Sequence, residues 1–335
     1  MRIHLQPAAM AACLTAAVVA SALAEEPPAR FTFEEQSDAL VIKLDDETLA
    51  TYLFGHEKLT RPAFVNVRTP GGTQVTRNFP PVLPDDRDHP VMHPGIWIGF
   101  GHLHGQDYWR LKARVEHDGF VEPPQASGST ASFTVRNRYL TEDGQGEVCQ
   151  DTTRYELQVK PYGLLMLVEA VFQSEQDFYF GDQEESGLAV RIASPLRVQG
   201  GNGTILNDRG ERNGAEIWGK EARWVDYFGT MDGNEVGVMI MPSAANPRRC
   251  WIHARDYGVV VGNPFPRQPQ ERREPYLKTW VKQGTPFRLA YAVAIHETPP
   301  EAFDRDEVYA ACSALLSSQE HGRRLQPRQQ ATGDR

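Results

Sequence analysis

The chain has 335 residues, with 35 lysines and arginines against 44 aspartates and glutamates, which gives a formal net charge of -9. This length suffices for one large domain or two ordinary ones, and 40% hydrophobic with 24% charged residues is typical of a folded globular protein. The acidic balance argues against a nucleic-acid-binding protein, because phosphate contacts need a basic surface.

The N-terminal segment has the pattern of an export signal. Arg2 is the only charged residue before Glu25, and an apolar run of small residues ends in Ala22-Leu23-Ala24. This pattern predicts a signal peptide at residues 1–24, cleaved after Ala24. The alternative, a membrane anchor, is less favoured because the run is alanine-rich, and no later segment is apolar enough to span a membrane. We therefore expect a periplasmic or extracellular protein.

The rest of the chain predicts an all-β fold. Short runs with β-branched or aromatic residues recur between turn residues, and the run from Thr152 to Val159 alternates cleanly between polar and apolar positions. The predicted strands are Arg30–Phe33, Leu40–Leu44, Leu49–Phe54, Ala63–Arg68, Ile96–Phe100, Tyr108–His117, Ser129–Tyr139, Thr152–Val159, Leu164–Phe172, Leu188–Ile192, Val236–Met241, Trp251–Ala254, Val259–Val261 and Phe287–Ile295. Many short strands at regular spacing favour a large antiparallel β-sandwich.

One helix is predicted near the C terminus, where Pro299 and Pro300 precede helical spacing from Glu301 to about Ser317. No repeat or composition break divides the preceding chain, so residues 25–318 are expected to form a single β-sandwich domain. Residues 319–335 are polar and are predicted to be a disordered tail.

The cysteines leave two alternatives open. The mature chain would keep Cys149, Cys250 and Cys312, an odd number without C-x-x-C spacing, which indicates no disulfide framework. One bridge between Cys149 and Cys250 is one alternative, since Cys312 lies in the predicted helix. Three reduced, buried cysteines are the other.

A histidine-rich segment is the densest candidate for chemistry. His89, His93, His102 and His104 fall within sixteen residues, among prolines and glycines that predict a loop entering and leaving a strand. His102 and His104 are two residues apart and would face the same side of an extended segment. Imidazoles serve as metal ligands and as acid/base groups near neutral pH. The alternative is that these histidines are ordinary polar loop residues that shape the start of the strand.

Two further segments carry candidate functional residues. An acidic turn with Glu184 and Glu185 precedes a strand that ends at Arg191, a pattern that could supply a general acid or base beside a cation. A later strand would place His253, Arg255 and Tyr257 on one face, a set suited to an anionic or polyhydroxylated ligand. Tryptophans add flat surfaces of the kind on which sugars stack, although most tryptophans belong to cores; they are Trp97, Trp109, Trp218 and Trp224.

Together these segments resemble a family of bacterial proteins, the methane oxygenase PmoA-like family. The resemblance rests on five ordered motifs between Pro62 and Ile295. They are Asp88-His89-Pro90 with His93, Gly95 and Trp97; Gly105, Asp107, Tyr108 and Trp109; Glu184, Glu185 and Arg191; Trp218-Gly219-Lys220-Glu221-Ala222-Arg223-Trp224-Val225-Asp226-Tyr227; and Trp251, His253, Arg255, Tyr257 and Gly258 with Asn263-Pro264-Phe265.

The resemblance implies a galactose-mutarotase-like super-sandwich and a role in carbohydrate handling. The first hypothesis is an exported enzyme that moves protons on a sugar or keto-sugar, by epimerisation, elimination or hydrolysis. His253, Glu184 and Glu185 are the predicted catalytic residues, and His89 and His93 the candidate ligands of one divalent metal ion. The predicted substrate-binding residues are Arg191, Arg255, Tyr257, Asn263, Trp97, Trp109 and Trp224. The second hypothesis is a non-catalytic glycan-binding module that uses the same face.

Overall fold

The computed structural model describes residues 30–267 and 276–324, and antiparallel strands dominate this part of the chain. The first half contains β1 (Phe31–Glu35), β2 (Ala39–Leu44), β3 (Glu47–Leu53), β4 (Ala63–Val65), β5 (Ile96–Phe100), β6 (Val115–Ser127), β7 (Thr130–Leu140), β8 (Glu147–Lys160) and β9 (Gly163–Gln173). The second half contains β10 (Phe178–Gly181), β11 (Ser186–Arg191), β12 (Thr204–Asn207), β13 (Lys220–Glu221), β14 (Val225–Met231), β15 (Asn234–Pro242), β16 (Trp251–Arg255), β17 (Val259–Asn263), β18 (Lys278–Val281) and β19 (Phe287–Thr298).

The strands form two large sheets and one small ribbon. The first sheet has nine strands in the order β1-β2-β3-β4-β5-β11-β17-β16-β13, and the second has eight in the order β12-β14-β15-β19-β9-β8-β7-β6. Strands β10 and β18 pair separately as a two-stranded ribbon. Every strand pair in these sheets is antiparallel, so the predicted all-β class is confirmed.

The two large sheets pack face to face around the main hydrophobic core. At one point of contact the backbone of Gly262 in β17 lies so close to Pro242 and Ile240 of β15 that an added Cβ would be 3.2 and 3.4 Å from their side chains. The same core cluster takes buried side chains from both sheets, including Leu188, Val238 and Tyr291. The predicted antiparallel β-sandwich is therefore confirmed.

A C-terminal helix covers the side of the second sheet that points away from the main core. In β19, Leu289, Tyr291 and Val293 belong to the main core, whereas Ala290 and Ala292, which alternate with them, face outward. The small outward residues let helix α2 (Arg305–Arg324) pack closely through Phe303 before it and Val308, Cys312 and Leu316 within it. The predicted helix is confirmed, with an observed range shifted from Glu301–Ser317.

A buried charge cluster anchors this helix. Asp226 in β14 has no exposed side-chain surface and pairs with two groups: His296 Nε2 at 3.1 Å and Arg305 Nε at 2.7 Å. Arg305 also donates to Glu235 at 2.9 Å. Burial pushes the pKa of Asp226 upward, but His296 and Arg305 outweigh it and hold this pKa below its usual value. Asp226 lies in one of the sequence motifs, and its role here is to join the helix to the sheet.

Several local expectations are corrected. Residues 108–113 form turns rather than a strand, and β6 begins at Val115. Strands β10, β12, β13, β14 and β18 and the short helix α1 (Asn213–Ile217) were not predicted. Cys149, Cys250 and Cys312 are free and buried, so the alternative of a Cys149–Cys250 bridge is not formed. No helix in the described ranges is long and apolar enough to cross a membrane. The predicted tail began at residue 319, but residues 319–324 continue helix α2. The signal peptide and residues 325–335 of the predicted tail lie outside the described residues.

Candidate functional site

Four adjacent strands bring distant parts of the sequence to one face of the first sheet. The register aligns Trp97 of β5 with Ala189 of β11, Ala189 with Val261 of β17, and Val261 with His253 of β16. Because side chains alternate along a strand, the face opposite the sandwich core also carries Arg191, Asn263 and Arg255. We call this surface the outer face; it holds five of the predicted site residues.

An aromatic cluster forms the floor of this face. Trp97 and Trp109 are almost fully buried, with ring centroids 5.3 Å apart, and His93 stacks on Trp97 at 5.5 Å. Tyr257 is nearly parallel to His93 at 6.3 Å and remains partly exposed. The two tryptophans were predicted to bind substrate, but their burial makes them supports for the groups above them.

Two buried arginines that the sequence analysis missed hold the loops over this floor. Arg77 donates to the backbone carbonyls of Asp86, Asp88, His89 and His93. Arg61 donates to the carbonyls of Tyr108, Trp109 and Met92. These bonds satisfy loop carbonyls that would otherwise be buried without partners. Sequence spacing has no signal for this role, because both arginines lie outside the strands, in segments without a periodic pattern.

Arg191 is the buried cation of the outer face. Its side chain has 0% exposure, its Nη2 lies 2.7 Å from Asp88 Oδ1, and its guanidinium lies 5.0 Å from the centre of the Tyr257 ring. Burial lowers the pKa of Arg191, and the charge of Asp88 opposes this shift. Arg191 and Tyr257, both predicted to bind substrate, are therefore in direct contact. Tyr257 itself lies in the turn after β16 and not within the strand.

Glu184 and Glu185 lie in the bend directly before β11, where both are partly buried and each lies beside an arginine. Arg255 Nη2 is 3.6 Å from Glu184 Oε2, and Arg110 pairs with Glu185. Burial raises the pKa of Glu185, with further contributions from Arg110, which lowers it, and Glu184, which raises it. Arg255 also lies 3.6 Å over the ring of Trp218. Two partly buried carboxyls, two guanidiniums and an indole therefore meet at one place.

His253 is buried beneath Arg255. Arg255 Nε donates to His253 Nε2 over 3.2 Å, so the ring proton of a neutral imidazole belongs on Nδ1. Burial, followed by the charges of Arg255 and Arg110, lowers the pKa of His253 to about 3. The imidazole is therefore neutral near pH 7 and orients Arg255.

This neutral imidazole has a measurable consequence for stability. Below pH 6.5 the unfolded chain protonates His253, whereas the folded protein does so only near pH 3, so stability falls as the pH drops through this interval. One such group contributes a slope of about 1.4 kcal/mol per pH unit. Urea unfolding between pH 7 and 4 should show a shallower acid-side decline for His253→Asn than for the wild type. Parallel curves would mean that the folded protein protonates His253 readily.

Two predicted substrate-binding residues have other roles. The Asn263 side chain donates to the carbonyls of Gln183 and Glu184 and accepts a bond from the Phe265 amide, so it shapes the loop that carries the carboxyls. Trp224 lies in the separate cluster under helix α2, where its Nε1 donates to Asp306 over 3.0 Å. The fold does not bring Trp224 to the outer face.

The histidine pair does not fit a divalent metal ion. The rings of His89 and His93 are 4.7 Å apart, but no three His, Cys, Asp or Glu side chains are grouped to hold a metal anywhere in residues 30–267 or 276–324. Burial lowers the pKa of His93, and the charges of Arg191, Arg61 and Arg77 lower it further. A surrounding that repels the proton also repels a metal cation, so the predicted metal site is not supported.

The comparisons with known proteins give a family but no activity. A family model described as a family of unknown function, DUF6807, matches residues 39–311, and the chain belongs to this family. This match overturns the resemblance to a methane oxygenase PmoA-like family, which nothing in the comparisons supports. No curated protein sequence is significantly similar to the chain.

The solved structures to which the chain is similar include two from Lactobacillus species. A galactose mutarotase related enzyme from Lactobacillus acidophilus aligns with a TM-score of 0.34 and 11% identity, covering 82% of this chain and 100% of its own. A galactose mutarotase-like protein from Lactobacillus casei aligns with a TM-score of 0.37 and 12% identity, covering 79% of this chain and 100% of its own. Similarity at this level assigns neither a substrate nor a mechanism.

Proposed function

We propose that this DUF6807 protein binds a sugar or keto-sugar on the outer face and moves a proton on it, in an epimerisation, an elimination or a hydrolysis. The observation that carries the proposal is the meeting of Glu184 and Glu185 with Arg255 and Arg110 beside Trp218. Paired carboxyls can act as acid and base, guanidiniums bind hydroxyl oxygens, and an indole offers a flat apolar surface.

The residues have distinct roles in this proposal. Glu185 exchanges the proton, because its raised pKa brings its titration closer to neutral pH. Arg255 and Arg110 stabilise negative charge that develops on a substrate oxygen. Burial raises the pKa of Tyr257, so its hydroxyl stays protonated and serves as a donor. His253 is a positioning residue that acts through Arg255, and this replaces the acid/base role predicted from sequence.

The test is an assay for proton transfer to and from carbon. Wild-type protein is incubated in D2O with a panel of aldoses, ketoses, keto-sugars and glycosides, and proton NMR follows the sugar signals. Loss of the signal from a carbon-bound hydrogen beside a carbonyl would support epimerisation or elimination, and new anomeric signals would support hydrolysis. Unchanged spectra for the whole panel, with binding absent as well, would contradict the proposal.

The second candidate is a non-catalytic glycan-binding module, and one observation favours it. The cavity lined by Glu184, Trp218, His253, Asn263 and Arg267 has a volume of only about 10 Å³. Catalytic pockets for small molecules usually enclose their ligands far more deeply. A shallow polar face with an indole is compatible with binding a glycan from one side. Saturable binding without any change in the sugar spectra would favour this candidate over the enzyme.

We also propose that the protein is exported. The support is the positive start, apolar run and Ala22-Leu23-Ala24 site at residues 1–24. Edman sequencing of protein recovered from the periplasm or medium should begin at Glu25. An intact Met1 on a protein confined to the cytosol would contradict export.

A further inference from the structure

An exposed aromatic patch lies on the small ribbon formed by β10 and β18. Trp280 is 52% exposed and its ring centroid lies 4.9 Å from that of its cross-strand neighbour Tyr179. His104 lies 5.0 Å and His102 5.7 Å from the Tyr179 ring, and Lys278 Nζ is 4.5 Å above it. We call this surface the ribbon patch. It includes the two histidines of the dense segment that the outer face does not use.

The ribbon patch is joined to the proposed site through the backbone. The loop after β5 connects them, because Gly101 donates to the Glu185 carbonyl and an added Cβ on Gly101 would be 3.4 Å from Arg110 Nη1. The next residue, His102, already contacts Tyr179. Only five residues lie between Tyr179 and Glu185 in the chain, so their backbones are no more than roughly 20 Å apart. An extended ligand held at Glu185 can therefore reach Trp280.

The chemistry of the patch favours a sugar over a purely apolar partner. An exposed indole presents a flat apolar surface, which matches the apolar face of a sugar ring. Polar groups border it: the Lys278 ammonium is a potential hydrogen-bond donor, and burial, followed by the Lys278 charge, lowers the pKa of His104 and favours its neutral imidazole. Hydrogen-bond donors and acceptors around an aromatic surface suit hydroxyl groups.

We infer that the ribbon patch is an additional sugar-binding subsite and that the natural ligand is a neutral oligosaccharide, with one unit at the carboxyl pair and another stacked on Trp280. This inference rests on the proposed function for the position of the first unit. It extends that proposal by naming the ligand as a chain of several sugars rather than a free monosaccharide.

Calorimetric titration with cello-, xylo- and malto-oligosaccharides of one to six units tests the inference. For one series, the wild type should bind the hexamer more tightly than the monomer. The ratio of hexamer to monomer affinity should fall about tenfold in Trp280→Ala, since one buried ring face is lost. The ratio should be unchanged in Val121→Ala, which removes an equally exposed apolar side chain from strand β6.

The outcomes separate this inference from the function on which it rests. Chain-length-dependent binding without turnover would uphold the subsite and contradict the enzyme. Affinity that is independent of chain length would overturn the subsite. The subsite would also be overturned if sedimentation analysis showed an oligomer that Trp280→Ala dissociates, since the patch would then bind protein. If Trp280→Ala does not fold, the indole NMR signal of Trp280 in the wild type, assigned with Trp280→Phe, must shift with the hexamer and not with the monomer.

Discussion

Replacing Glu185 by glutamine is expected to reduce turnover of the sugar substrate by about 10²- to 10⁴-fold, the usual contribution of a general acid or base. The amide keeps the size of the side chain and a hydrogen-bond acceptor for Arg110, but it cannot exchange a proton. Thermal stability should change little, because burial disfavours the charged form of Glu185 and raises its pKa, so the charge itself adds little net stability to the folded protein. The measurement is the initial rate of deuterium incorporation or product formation by NMR.

The pH dependence gives a second readout for Glu185. If Glu185 is the base, the wild-type rate falls as the pH drops through its pKa, which burial raises above 4.5. This acid limb should disappear from the residual activity of Glu185→Gln. The matched control is Glu175→Gln, an exposed carboxyl in the turn between β9 and β10, which should keep both rate and profile. Full activity of Glu185→Gln would assign proton transfer to another residue.

Replacing Asp226 by asparagine is expected to lower the free energy of unfolding by about 3–5 kcal/mol. The substitution leaves the Arg305 guanidinium and the buried His296 without their shared counter-charge, although both remain in the folded interior. Urea unfolding followed by tryptophan fluorescence measures the loss. Trp224 is a suitable reporter because it lies in the cluster under helix α2.

A surface pair is the control for Asp226. Asp177 pairs with Lys282 where both side chains are exposed, so Asp177→Asn should leave the unfolding curve almost unchanged. The Asp226 contribution is present above the carboxyl pKa of the unfolded chain and is lost as the pH falls through the lower pKa of the folded protein. The two variants should therefore differ less at pH 2 than at pH 7. Equal stabilities at pH 7 would show that Asp226 does not anchor the helix.

The sequence predicted most of the fold because a strand that buries one side has apolar residues at every second position. Thr152–Val159 shows this alternation, and the corresponding strand β8 lies between two others in the second sheet. Strand β14 was missed although it spans Val225–Met231, because its first three residues were assigned to the motif that ends at Tyr227. Strands β10 and β18 have four residues each, too few for alternation to be distinguished from a loop.

The candidate site was predicted in part. Arg191, Arg255 and His253 share a face because they follow the same alternation on β11 and β16, which both pair with β17, and the two glutamates precede β11. The role of each residue depends on how deeply it is buried, which cannot be determined from the spacing of residues along the chain. Burial turns His253 into a neutral support for Arg255 and places Trp97 and Trp109 under the site. Trp224 belongs to a motif whose last residues enter β14 of the second sheet, so it lies away from the candidate site.

The sequence by itself determined the β-sandwich class, the C-terminal helix and the set of strands that carry the candidate residues. These properties follow from local patterns of apolar and polar residues. Only the tertiary structure decided which charges face one another: Arg77 and Arg61 hold loops, Asp226 anchors the helix, and Glu185 meets Arg110. These partners are 11 to 79 residues apart in the chain, and the folding of the sheets and loops brings them together, so no local pattern encodes their contact.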